Sequence, residues 1–323
     1  MAAGEKSMRW LICGTVPDDR FPLCLGYWNV AGKELVPADV SPCNSEAAIP
    51  SVSILRGTPA LIAASVLAME KLHCQAPLVL LAGDSGNARG STALYEFLSS
   101  WLREPKSEKV GGITFHYLFP SVDGQNRILM ALEERQGTKP LLIADAGFMY
   151  AAKMSGYALQ YDVFTPDAGE LAFLADEKAP HPFYTRGFLL SEDNDPEKLA
   201  SLAWAHGDSA KILLVKGSSD IIFKEGKELG RIETPCIPHM EPVGGTGDLV
   251  TGLLTAFSSA GTPLERACFL AASCARHIGE RTRPNPATAI AEFMPYVADG
   301  VEISLNKKQH SEGRCHGRIS PHG

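Results

Sequence analysis

From about residue 76 onward, short apolar runs alternate with stretches of helical periodicity, and this alternation restricts the fold more than any other feature of the chain. The runs at 78–82, 113–118, 141–145, 163–165 and 212–215 are apolar on both faces, as strands are when helices cover them above and below. Between them, 92–103, 127–136 and 196–204 read as amphipathic helices, the last opened by Asp195-Pro196. The pattern predicts βαβ units and a mainly parallel, doubly covered sheet with ligands at the carboxyl ends of its strands. Residues 221–224 and 229–233 flank Glu225-Gly226-Lys227-Glu228 and read as a hairpin. Ahead of the alternation, 10–13 and 23–30 suggest strands and 37–50 a loop. Thr58-Pro59 then opens a helix with a hydroxyl cap and an early proline.

The chain's 323 residues, 45% hydrophobic and 21% charged, suffice for one large α/β domain, expected over 9–303. Residues 1–8 are expected to be a flexible N-terminus. Residues 304–323, polar and without periodicity, are expected to form a disordered tail in which His310, Cys315, His316 and His322 are solvated rather than metal-bound. A formal net charge of -7 gives no basic footprint for nucleic acid. No apolar run approaches the about 20 residues of a membrane helix. Eight scattered cysteines with no CxxC pair read as reduced, mostly core thiols of a cytoplasmic protein. A homo-oligomer is left open.

The most informative segment is Val243-Gly244-Gly245-Thr246-Gly247-Asp248, which runs directly into an apolar helix. Glycines there let backbone N–H groups converge on one point, and the helix adds partial positive charge, so the turn suits a phosphate. A carboxylate in such a turn is repelled by the anion unless it has a task that needs a base. Asp248 is therefore the candidate general base for phosphoryl transfer. The alternative is that Thr246 and Asp248 merely cap and charge the helix. A second loop, Gly83-Asp84-Ser85-Gly86-Asn87-Ala88-Arg89-Gly90-Ser91, follows the strand at 78–82. Its glycines, Arg89 and a Ser91 cap suit a phosphate or carboxylate, or else form an ordinary connection.

Taken with three further segments, the glycine turn resembles the hallmark of the ribokinase superfamily. Thr165-Pro166-Asp167-Ala168-Gly169-Glu170 is similar to its TPxxxE motif, and Lys216-Gly217-Ser218-Ser219-Asp220 to its nucleotide loop. Ala275-Arg276-His277-Ile278-Gly279 is similar to a helix that ends in His-Gly in the dehydratases. Leu141–Ala146 and Met294-Pro295 point to the NAD(P)H-hydrate dehydratase branch. The resemblance, from about 57 to 296, implies a ribokinase-like three-layer α/β/α fold and an enzyme using ATP or ADP with Mg²⁺. It implies nucleotide contacts at Lys216, Gly217, Ser218, Ser219, Asp220, Gly245, Thr246 and Gly247, with Asp248 acting on the substrate hydroxyl and Glu170 holding Mg²⁺ through water or phosphate.

The implied reaction is dehydration of hydrated NAD(P)H through transient phosphorylation. A small-molecule kinase and a non-catalytic nucleotide-binding protein are the alternatives. Two departures fall on the substrate side. Asp167 stands where the dehydratases usually have histidine, and Phe119-Pro120-Ser121-Val122-Asp123-Gly124 replaces their GPGLG turn. Arg89 is a candidate replacement contact for a substrate's phosphates.

Overall fold

The computed structural model describes residues 9–31, 33–39, 41–43, 49–179 and 195–306. The expected flexible N-terminus at 1–8 and the histidines of the tail lie outside them. Among the described residues, ten strands form one sheet in the order β10-β9-β8-β7-β6-β5-β1-β4-β2-β3. The central block is parallel, from β8 (Ile212–Val215) through β7 (Val163–Phe164), β6 (Leu141–Ala144), β5 (Val110–His116) and β1 (Arg9–Val16) to β4 (Leu78–Gly83). Both edges are antiparallel. The hairpin of β9 (Asp220–Lys224) and β10 (Lys227–Ile232) closes one, and β2 (Cys24–Asn29) with β3 (Glu34–Pro37) closes the other. β3 includes Pro37, at the start of the span read as a loop.

Each side of the sheet carries its own apolar core because strand side chains alternate faces. On β1, Trp10 and Ile12 join the core under α1 (Thr58–Lys71), α7 (Thr246–Ser259), α8 (Leu264–Thr282) and α9 (Val297–Asn306). Leu11 and Cys13 point to the opposite core, under α2 (Arg89–Trp101), α3 (Val122–Glu134), α4 (Gly147–Met154), α5 (Ala168–Ala175) and α6 (Pro196–Ala205). There Phe115 of β5 stacks on Phe148 of α4 with ring centroids 4.1 Å apart. Cys13, Cys24, Cys268 and Cys274 are buried, whereas Cys236 is exposed. No helix among the described residues is long and apolar enough to cross a membrane.

Several local expectations are corrected. Gly57, at φ 70°, is the N-cap of α1, so the Thr58 hydroxyl does not cap. α2 begins at Arg89 after left-handed Ala88, and the Ser91 hydroxyl is inside the helix. α8 continues past Gly279 to Thr282. α9 reaches Asn306, beyond the boundary expected at 303, because Ser304 is buried and its hydroxyl bonds the Gly300 carbonyl one turn back.

One helix crossing determines the site. α1 and α7 pack so closely at Gly252 that a Cβ there would lie 2.4 Å from the Leu61 carbonyl oxygen, and the Ser65 hydroxyl donates to the Gly252 carbonyl at 2.9 Å. Both helices therefore start at the carboxyl end of the parallel strands, facing each other.

Candidate active site

Asp248 is the third residue of α7, but its carboxylate turns away from its own helix. Oδ2 accepts the Gly57 N–H at the start of α1, 2.5 Å away, and Oδ1 meets His116 Nε2 at 3.0 Å. The capping alternative fails for this side chain, since the N-cap is left-handed Gly245 and no side-chain hydrogen bond caps the helix. Thr246 instead donates its hydroxyl to the Val243 carbonyl at 3.2 Å. A Cβ on Gly245 would press on the Ile290 side chain at 3.0 Å, and φ 100° is a conformation that favours glycine.

Four strand ends converge beneath this turn. His116 closes β5, Asp145 follows β6, Thr165 follows β7 and Lys216 follows β8. Lys216 Nζ bridges both Asp145 oxygens at 2.9 and 3.0 Å and lies 3.5 Å from where a Gly247 Cβ would be. The Thr251 hydroxyl, one turn into α7, donates to Asp145 Oδ2 at 2.6 Å and meets Thr165 Oγ1 at 3.0 Å. The motifs read separately from the sequence thus meet at one place.

The electrostatics follow from this packing. Burial works to raise the Asp248 pKa, but the His116 hydrogen bond, the Lys216 charge and the Gly57 N–H outweigh it and hold the carboxyl below its ordinary range. For Lys216, burial opposes the charge, yet Asp145, Glu170 and Asp248 hold the ammonium above its ordinary pKa. Glu170 is pushed up to about 7, first by desolvation and then by Asp145 and Asp167, against the pull of Lys216.

Glu170 is the third residue of α5. It forms a capping box with Asp167, whose Oδ1 accepts the Glu170 N–H while Glu170 Oε2 accepts the Asp167 N–H, both at 2.8 Å. The Tyr150 hydroxyl donates to Glu170 Oε1 at 3.1 Å. Asp167 is exposed on the rim, and its backbone pairs with Lys216 in an isolated parallel bridge.

The loop at 217–220 is shaped from within. Arg276 of α8 pairs with Asp220 through Nε at 2.8 Å and donates to the carbonyls of Gly217, Ser218, Glu233 and Pro235. Asp220 also accepts the Gly217 N–H at 3.2 Å. Its carboxylate therefore holds the loop's shape, together with the Arg276 bonds to the Gly217 and Ser218 carbonyls, and the Ser219 hydroxyl donates to Glu233 Oε1 at 3.4 Å.

At the loop 83–91 the structure favours the ordinary connection. Its own Asp84 fills the cradle: Oδ1 accepts the N–H groups of Gly86 and Ala88, and Oδ2 accepts the Ser91 N–H and hydroxyl. A phosphate is thus excluded from this turn by a carboxylate that belongs to it. Arg89 is exposed at the start of α2. Beside the loop, a cavity of about 330 Å³ is lined by Thr15, Asp84, Gly86, Ser91, Tyr117, Leu118, Phe119, Pro120, Gly147 and Tyr150. Tyr117 and Ala146, at φ 50° and 51°, are non-glycine residues in a strained backbone region next to this cavity. The Tyr117 hydroxyl lies within the fields of Asp248, Asp145 and Glu170, which joins the cavity to the carboxylate cluster.

His116, Asp145 and Asp248 bring ligand atoms within 4.8 Å of one another. Lys216 and Thr251 already hold Asp145, and Gly57 holds Asp248, so the trio forms a hydrogen-bond network. Oxygen donors for a hard cation such as Mg²⁺ are better supplied by Glu170, whose two oxygens each keep a lone pair beyond their single donors. Sequence reading missed His116, Tyr117, Tyr150 and Thr251, and it used Asp145 and Arg276 only as marks of resemblance. A histidine ending an otherwise apolar strand was the available signal.

A mainly parallel sheet between two helical layers, with a glycine turn and an aspartate over the strand ends, defines a ribokinase-like protein. Solved structures agree on the fold. A ribokinase-like superfamily protein from Enterococcus faecalis superposes with TM-score 0.54 at 14% identity, covering 94% of this chain and 91% of its own. Pyridoxal kinase from Entamoeba histolytica gives 0.53 at 14% identity, with 91% and 96% covered. The chain belongs to the carbohydrate-kinase family described as NAD(P)H-hydrate dehydratase, whose model matches residues 120–295, more than half its length. An uncharacterized protein of Methanocaldococcus jannaschii is 36% identical over 228 residues, covering 70% of this chain and 92% of that protein.

Proposed function

We propose that this protein moves the terminal phosphate of ATP or ADP onto a substrate hydroxyl, with Asp248 as the base. One observation carries the reading: the Asp248 carboxylate stands at an N-terminus left without a side-chain cap, beside the Lys216 ammonium, with its own two oxygens oriented by His116 and Gly57. The N–H groups of the turn at 245–247 and Lys216 would bind the phosphates, and Gly217, Ser218 and Ser219 would line the rest of the nucleotide. Asp248 takes the hydroxyl proton as the oxygen attacks the terminal phosphorus and the bond to the bridging oxygen breaks. Glu170 would hold Mg²⁺, directly or through water, and the ion would neutralise charge on the phosphates.

Family membership favours hydrated NAD(P)H as the acceptor. The phosphorylated ring then loses phosphate together with the former hydroxyl oxygen, and a proton leaves the neighbouring carbon as the double bond returns. Arg89 and Asp167, on the rim, are the proposed acceptor contacts, and the protein would act on soluble metabolites in the cytoplasm. The second reading is a kinase that stops at the phosphoester. It is favoured by the cavity itself, whose aromatic and apolar wall suits a compact ring.

The test is to incubate the protein with hydrated NADH and either nucleotide, following absorbance recovery and phosphate release together. Parallel recovery and release support the dehydratase. A stable phosphoester selects the kinase, and no transfer to any acceptor removes the proposal.

A further inference from the structure

The His116 side chain is fully buried, where an unpaired imidazole is costly. The ring is the last side chain of β5, and the groups that meet its nitrogens are polar. Both nitrogens are satisfied by residues from different helices. A carboxylate only accepts, so Nε2–H donates to Asp248 Oδ1, and Nδ1 shares a hydrogen bond with the Thr58 hydroxyl at 3.0 Å. Thr58 is the first residue of α1, and the preceding Gly57 N–H holds Asp248 Oδ2. The carboxylate is therefore gripped at both oxygens, one by the start of α1 and the other by a ring that α1 itself orients. The turn that the dehydratases carry after this strand is replaced here, and the strand ends in His116 followed by strained Tyr117.

We infer that His116 is a positioning residue of the transfer, fixing the Asp248 carboxylate in the orientation from which it takes the acceptor's proton. This inference rests on the proposed phosphoryl transfer and adds to it a Thr58–His116–Asp248 chain. The charged and titratable groups that face the chain are Asp145 at the end of β6, 3.8 Å from His116 Nε2, Lys216 at the end of β8, Tyr117 beside the ring and Glu170 of α5 farther out. The His116 hydrogen bond and the Lys216 charge together keep Asp248 ionised below the usual carboxylate range, against the effect of burial. Loss of the imidazole therefore raises the Asp248 pKa, and the acid limb of the pH–rate profile moves to higher pH.

The experiment compares His116→Leu with His116→Gln, whose amide can donate to Asp248 from a similar place. His116→Leu is expected to lower kcat by about 100-fold, to keep the nucleotide KM within about three-fold and to raise the acid limb. His116→Gln is expected to recover about ten-fold of the loss and return the limb toward that of the unmodified protein. A merely structural histidine lowers kcat and nucleotide binding together and leaves the limb in place, which overturns the inference. A measurement independent of turnover uses imidazole nitrogen NMR of the full chain, with the His116 signals found by their loss in His116→Gln. The Nε2 signal is expected to shift in Asp248→Asn and the Nδ1 signal in Thr58→Val. Unmoved signals overturn the pairing even in an active enzyme. If the signals shift but hydrated NADH is not turned over with either nucleotide, the pairing stands and the functional reading falls.

Discussion

The two halves of the sheet's carboxyl rim are built differently. On the half formed by β6, β7, β8 and α7, the turn at 245–247 carries no side-chain cap and stands beside the Lys216 ammonium, and the charged side chains around it are tied to each other. On the half formed by β1, β4, β5 and α2, an aromatic cavity stands beside a loop whose N–H groups are taken by Asp84. The first half suits a ligand shared by many proteins, because backbone geometry is indifferent to side-chain change. The second half is made of side chains and can change its ligand by substitution. Asp248 stands between the halves, and each expected effect below either separates them or shows that they act as one.

The largest effect belongs to Asp248→Asn, which should cut turnover by about 10²–10⁴-fold. Nucleotide affinity, measured by calorimetry, should change only a few-fold, since the turn's N–H groups do not depend on this side chain. Equal loss of both would merge the two halves. Next comes Lys216→Met, which leaves Asp145, 3% exposed, without its cation. Removing one partner of such a buried pair costs about 3–5 kcal/mol. Denaturant unfolding should show this loss, and nucleotide titration should show weakened binding.

Arg276→Ala should raise the nucleotide KM several-fold by releasing the loop at 217–220 while the acceptor curve stays in place. A shifted acceptor curve would contradict the division. Glu170→Gln should raise the Mg²⁺ concentration needed for half-maximal activity, and an unchanged Mg²⁺ dependence would confine Glu170 to its capping box with Asp167. The smallest effect is expected from exposed Arg89→Ala, a modest rise in acceptor KM with nucleotide binding unaltered. Equal change on both curves would remove Arg89 from the acceptor half.

The same division explains what could be read from the sequence. The central parallel strands were legible because helices cover both faces and leave uninterrupted apolar runs, as at 212–215, which is β8. The glycine turn was legible because contiguous residues make it, and its conformation is a property of the backbone. His116 and Asp248 are 132 residues apart, and no local pattern joins them. The crossing of α1 and α7 at Gly252 brings the start of α1 to Asp248. The loop around Asp84 stayed open between an anion site and an ordinary connection for a related reason. Glycines and a serine describe an anion cradle equally well whether the anion is a ligand or the loop's own carboxylate, and only the fold shows which one fills it. Thr58 has the residue type and proline neighbour of a cap, but a tertiary partner, His116, takes its hydroxyl instead.

The most direct test of the central claim follows the oxygen of the acceptor. Hydrated NADH carrying oxygen-18 in its ring hydroxyl is incubated with the protein, Mg²⁺ and ATP or ADP, and the products are analysed by mass spectrometry. If the hydroxyl oxygen attacks the terminal phosphate and later leaves with it, the label appears in inorganic phosphate, and Asp248→Asn abolishes its appearance. Label retained in a phosphoester would keep the transfer and select the kinase. Label released into water, or transfer undiminished in Asp248→Asn, would contradict the account.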